Sequence, residues 1–178
     1  YRGWLDAVVS FFADSLLAFP PLILLLGLMA VLEPSVRNVT LGLAVLGIPI
    51  YVRLARANTM ALAERDFVVA ARVLGAKDRR LLLREILPNV APMVLSYAFV
   101  VVAVMIVAEA SLSYLGLSVQ RPEPTWGNMI SAGQDSFDRH PHLVFVPGLV
   151  LFVSVLALNH VGEAVRSAWT SGARSSGE

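Results

Sequence analysis

The sequence predicts an all-α membrane protein, with four membrane-spanning helices and a short helical elbow on the cytoplasmic side. Three observations carry this. First, the 178 residues are 57% hydrophobic and 15% charged, whereas a soluble domain carries charge near ~25%. Second, the apolar residues gather into uncharged runs at 15–32, 38–52, 86–108 and 143–162. Third, Arg53, Arg56, Arg65, Arg72, Lys77, Arg79, Arg80 and Arg84 fall between the second and third runs, while the long connection 109–142 holds only Arg121 and Arg139.

A bilayer core of about 30 Å takes roughly 20 apolar helical residues, so the first, third and fourth runs are adequate spans. The second is short, but Arg53 and Arg56 extend it by laying their stems along the interface with their heads in water. Runs of this length do not suit buried helices of a small soluble core. The first run has no basic approach and is followed by more spans, which argues against a signal peptide. By the positive-inside rule the loop 53–84 is cytoplasmic and 109–142 lies outside. Run 15–32 then leaves the cell, 38–52 returns, 86–108 leaves and 143–162 comes back. The opening at Tyr1 rather than Met leads to the expectation of an N-terminal part with further spans. There is no cysteine, hence no disulfide or thiol chemistry, and the net charge of +1 gives no footprint for nucleic acid. Lipid is the partner the composition requires.

Taken in order, residues 1–13 read as a short helical approach, with Trp4 suited to an interface and Asp6 and Asp14 on the inner side. Pro20-Pro21 kinks the first span. Residues 33–37 make a tight outer turn, and Pro49 bends the second span. The outer segment 119–142, with Pro122, Pro124, Trp126, Gly127 and Pro141, reads as an ordered loop with a short helix along the surface. The Ser- and Gly-rich residues 171–178 read as a disordered tail, leaving 1–170 as one domain.

The elbow occupies residues 64–88. Phe67, Ala70, Ala71 and Leu74 recur at i, i+3, i+4 and i+7, one apolar stripe on a helix. Glu64 and Asp66 sit in the first turn, where the helix dipole favours acids. Gly75, followed by Ala76, stands where a left-handed cap ends a helix. A second helix is expected from Asp78, as its N-terminal cap, to Leu87, where Pro88 bends the chain. Membrane-surface helices present bulky side chains to lipid. Here Ala70-Ala71 at the centre of the stripe favours close approach to a protein groove instead.

This segment resembles the Glu-Ala-Ala signature of permease subunits of bacterial ABC importers, in which Glu-Ala-Ala, three residues, Gly, nine residues, Ile, one residue and Leu-Pro follow in order. Ala70, Ala71, Gly75, Leu87 and Pro88 match; Val69 stands in place of the Glu and Glu85 in place of the Ile. Losing the Glu removes a polar contact and leaves the apolar face intact. Asp14-Ser-Leu-Leu-Ala-Phe-Pro20, Ala108-Glu-Ala-Ser-Leu-Ser-Tyr-Leu-Gly-Leu117, Pro124-Thr-Trp-Gly-Asn-Met129 and Phe145-Val-Pro-Gly-Leu149 are similar, in order, to the C-type subunit of the dipeptide/oligopeptide/nickel branch. The resemblance spans nearly all of residues 1–169. It implies the type I importer fold in a bacterial inner membrane. It also implies a homologous permease partner, two ATP-binding cassette ATPase subunits and an extracytoplasmic binding protein. No cofactor or catalysis of its own is implied. Glu64, Asp66, Phe67, Ala70, Ala71, Leu74, Gly75, Ala76, Leu87 and Pro88 would couple it to the ATPases. ATP binding would then drive alternating access by rigid-body rocking, with di- or oligopeptides as the expected cargo.

Other chemistry is thinner. No Gly-x4-Gly-Lys-Ser/Thr pattern occurs, so nucleotide chemistry belongs to a partner. His140 and His142 lie outside and His160 near the inner end of the last run, so the three histidines read as isolated and no metal site is expected. Glu109 closes the 23-residue third run, and an acid at the edge of a span marks either the translocation path or the outer interface. Asn159 and His160 suit hydrogen bonds between helices. The alternative class, an ion-gradient-driven transporter or channel, predicts ionisable residues in mid-span, and these runs have almost none.

Overall fold

Two consecutive prolines break the first apolar run into two helices. The computed structural model describes residues 3–33, 35–119 and 122–175, with side chains described as far as residue 169, and every regular element among them is helical. Helix α1 (Trp4–Leu17) stops where Pro20 and Pro21 can no longer donate to the carbonyls one turn back. Pro21 then opens α2 (Pro21–Val31), at a position where a missing N–H is no loss. The two helices meet at 85°. The expected kink is therefore a break, and the approach helix is longer than 1–13. By itself 11-residue α2 is only about 16 Å long against a core of about 30 Å, so the first span 15–32 is formed only where α1 and α2 count together as one broken span. Among the described residues three helices are long and apolar enough to cross a membrane, or four spans result if the bent pair is one.

Ser35 caps α3 (Val36–Ala63), accepting from the Asn38 N–H at 3.2 Å, while the Asn38 amide donates to the Glu33 carbonyl at 2.8 Å and fixes the turn. Pro49 lies within this continuous 28-residue helix. The two interfacial arginines are paired rather than merely hydrated: Arg53 donates to Asp14 at 2.7 Å, and the Arg56 fork grips Asp6 at 2.7 and 2.8 Å. This is possible because α1 runs on past residue 13 and lies along the second half of α3.

After α4 (Asp66–Val73), a single turn α5 (Asp78–Arg80) leads into a π-helical segment, Leu81–Ile86, and then α6 (Leu87–Tyr114). Together these form one 37-residue rod, Asp78–Tyr114, about 55 Å long. The second helix does not end at Leu87 but continues through Pro88. The wide π turn, in which the Leu87 N–H reaches back to the Leu82 carbonyl, relieves the clash a proline makes with the preceding turn. Nor does Asp78 cap the second helix: Lys77 holds that position without a side-chain bond, and Asp78 sits in the first turn.

Outside the rod, α7 (Trp126–Gly133) is the short outer helix, and α8 (His142–Ser175) returns along α6. The backbone remains helical through residue 175, where a tail without structure was expected, because extending an existing helix needs no new nucleus. Residues 176–178 lie outside the described residues. Two aliphatic clusters hold the bundle. Leu25, Met29, Val39, Leu112 and Val119 join α2, α3 and the end of α6. Val68, Leu81, Ile86 and Val90 join the elbow to the start of the rod. Phe145, Leu149 and Phe152 on α8 stay at least 60% exposed, which suits an apolar surrounding rather than water.

Candidate functional site

The elbow begins where α3 ends, at Glu64, an exposed residue in its C-terminal cap position. Exposed Asp66 opens α4 at the positive end of its dipole. The helix closes in a Schellman turn. Gly75 takes φ +81°, its N–H reaches the Arg72 carbonyl at 3.0 Å, and the Ala76 N–H reaches Ala71 at 3.1 Å. A side chain at that φ would be strained, so the glycine is what lets the chain reverse into the rod.

Helix α4 has two apolar faces, and the structure divides the expected stripe between them. Val68 is wholly buried against Leu81, Ile86 and Val90, with Ala71 and Ala76 packed beside it. Phe67, Ala70, Val73 and Leu74 face away from the bundle, with Val73 81% and Leu74 87% exposed. Ala71 thus belongs to the anchoring side and Val73 to the open one. Leu87 and Pro88 lie on the rod, both exposed, beyond the π turn. Beneath the elbow a cleft of about 380 Å³ is lined by Thr59, Glu64, Arg72 and Asp78 among apolar residues.

At the far end of the rod a second constellation appears. Glu109, half-buried, accepts through Oε1 from the Ser113 hydroxyl at 2.5 Å and the Ser118 hydroxyl at 3.1 Å. Between these serines Gly116, at φ +73°, forms another Schellman turn with bonds to the Ser113 and Leu112 carbonyls. Thr125 caps α7 through the Asn128 N–H at 3.1 Å, and the Asn128 side chain donates to the Val119 carbonyl at 2.7 Å. Gly127 sits directly on α6: a Cβ there would lie 2.1 Å from the Ala110 carbonyl oxygen. Gln134 donates to the Tyr114 hydroxyl. The two outer sequence segments, 108–117 and 124–129, are therefore the two halves of one corner.

Sequence reasoning gave Glu109 without its partners. The spacing of Glu109 and Ser113, one helical turn, was the available signal. The Asn159 side chain donates to the Val155 carbonyl of its own helix at 2.8 Å, rather than between helices as expected. His140 and His142 stack edge to face, 5.7 Å apart, so they are neighbours rather than isolated. Among the described residues no group of three or more His, Cys, Asp or Glu could hold a metal.

The helical bundle with an apolar elbow between two spans agrees with the fold implied by the sequence resemblance, and comparison with known proteins decides the family. Residues 1–170 match the family described as binding-protein-dependent transport system inner membrane component. The chain belongs to that family. It is a multi-pass inner-membrane component. It is 37% identical over 168 residues to the glutathione transport system permease protein GsiD of Escherichia coli O157:H7, and equally to those of Shigella boydii serotype 4 and Shigella sonnei. Each match covers 94% of this chain and 55% of the relative, so the chain spans about half the length of these permeases. The resemblance to the peptide branch of importer permeases is borne out by both comparisons.

Proposed function

We propose that this chain forms the coupling and pore-building part of an ABC importer permease subunit, with small peptides of the glutathione class as cargo. Its partners are a homologous permease, two ATPase subunits and an extracytoplasmic binding protein. The observation that carries the reading is the open face of α4. Four apolar side chains, Phe67, Ala70, Val73 and Leu74, are held out on a helix whose opposite side is fixed by a wholly buried Val68. In water such a face is unfavourable, and small Ala70 at its centre lets a partner's backbone come close. Covered by an ATPase subunit, it passes that subunit's stroke through Val68 to Leu81, Ile86 and Val90, hence directly into α6. Glu64 and Asp66 lie at the rim. The peptide cargo is supported by the glutathione transport named for the relatives.

Leu74→Lys in the full-length permease tests this. A cation is tolerated at a helix C-terminus, so the elbow keeps its fold while a charge enters the contact. Retention of the ATPase subunits on purification should fall at least about ten-fold, the equivalent of ~1.4 kcal/mol, and ATP-driven peptide uptake should cease. Uptake at the native rate, with the ATPases still bound, would show that this face touches no motor.

A further inference from the structure

We propose that Glu109 is a positioning residue: by gathering Ser113 and Ser118 it clamps the outer helix α7 to the end of the α6 rod, so that the two move as one body. The proposal rests on the importer reading only in taking α7 to face the extracytoplasmic partner.

The corner needs an acceptor at this point. The hydroxyls of Ser113 and Ser118 belong to residues 1% and 0% exposed, and buried hydroxyls go unbonded at a penalty. A carboxylate accepts only, and hydrogen bonds to it are about twice as strong as neutral ones. Its two donors lie on different pieces of chain. Ser113 is one turn further along α6, whereas Ser118 follows the reversal at Gly116. The carboxylate therefore bridges the helix to the strand of chain that has just left it. That strand continues to Val119, whose carbonyl holds the Asn128 side chain of α7. Beside this, Gly127 seats α7 on the Ala110 carbonyl with no room for a methyl group. Each link is directional, so the corner has one geometry rather than a range of packed ones. The apolar Leu112 and Val119 next to it could have closed the corner without a charge at the end of an uncharged run. Through the rod, an event at α7 is felt at the elbow.

The test uses the full-length permease assembled with its partner permease and ATPase subunits in lipid nanodiscs, comparing Glu109→Ala, Glu109→Gln and Ser118→Ala. Gln keeps an acceptor oxygen in place; Ala removes the oxygen that bridges Ser113 to Ser118. Amide exchange protection of residues 126–133 should drop at least about ten-fold in Glu109→Ala, the loss of bonds to a charged group. It should fall less in Ser118→Ala and least in Glu109→Gln, whose neutral amide oxygen accepts the same bonds more weakly, while residues 66–94 stay as in the native chain. Basal ATP hydrolysis should persist in Glu109→Ala, and its stimulation by peptide-loaded binding protein should be lost and be restored in Glu109→Gln. Native protection of α7 in Glu109→Ala overturns the clamp. Basal and stimulated hydrolysis falling together overturns the positioning role, since a merely structural defect would do that. Lost α7 protection with full stimulation leaves the clamp standing and overturns the placement of α7 on the route from the binding protein. Should Glu109→Ala fail to assemble, Ser118→Ala, which removes one oxygen, decides by the same two readouts.

Discussion

The two ends of the α6 rod are held by opposite kinds of force. At the elbow, Val68, Leu81, Ile86 and Val90 meet through aliphatic contact, which is non-directional and depends on area removed from water. At the outer corner, Glu109, Ser113, Ser118, Asn128 and Val119 are joined by hydrogen bonds of 2.5–3.1 Å, and Gly127 lies against backbone. Aliphatic surfaces accept small rolls and slides of one helix on another with little change in buried area. A carboxylate between two hydroxyls does not. On the proposed importer reading, the elbow would follow a moving ATPase subunit while keeping contact with the rod, and the corner would deliver that motion without slack. The rod would then serve as a lever with a compliant handle and a stiff head.

The sharpest way to break this contrast is at the stiff end. Gly127→Ala forces a methyl group onto the Ala110 carbonyl, and a helix backbone cannot step aside as a flexible side chain can. The expected loss is about 3 kcal/mol, the upper range for overpacking, read as a lowered midpoint of unfolding of the full-length permease in detergent. Gly148→Ala is the matched control within α8, where nothing lies within 4 Å of the added Cβ. That change should be neutral or stabilise by up to ~1 kcal/mol from helix propensity. Equal effects at the two glycines would mean that α7 is not seated on α6.

At the compliant end the same kind of probe should do less, and only locally. Val68→Ala removes two methyl groups from a fully buried site, costing about 2 kcal/mol by transfer and cavity terms. Because the remaining aliphatic neighbours can close in, the loss should appear as faster amide exchange in residues 66–73, with the protection of residues 95–114 unchanged. Exchange rising along the whole rod would show that the elbow is as stiff as the corner.

The spans were legible in the sequence because lipid imposes a simple rule, long uncharged runs, that needs no partner to be known. Gly75 was legible for a similar reason, since a stripe that stops at a glycine describes a capped helix by itself. What escaped was whatever depends on which surfaces meet. In Asp66–Val73 apolar residues lie on nearly every side, so periodicity finds a face but cannot say which one turns inward; half-buried Ala71 packs against the cluster and Val73 lies outside. The break at Pro20-Pro21 was readable, but its 85° was not, because prolines forbid continuation without setting the new direction. The π turn was hidden as well, since nothing in Leu81–Ile86 marks it apart from Pro88 two residues on. The Glu109 clamp needed the reversal at Gly116 before Ser118 could be placed beside it.

The smallest expected effect separates the elbow end further into a part that is held and a part that is tethered. Helix α1 is tied to α3 by Asp14–Arg53 and Asp6–Arg56. Both members of the first pair are 61% exposed, so solvent screens it, and Asp14→Asn should shift stability by no more than about 0.5 kcal/mol. Asp6 is less exposed and receives the Arg56 fork through both oxygens, so Asp6→Asn should shift it more, and that difference should shrink as salt is raised. If both changes are this mild, α1 is a helix on a loose tether, free to tilt about Pro20-Pro21 while the rod moves past it. A loss of several kcal/mol from Asp14→Asn alone, insensitive to salt, would mean that the pair is shielded from water in the membrane. The compliance of this end would then be confined to α4.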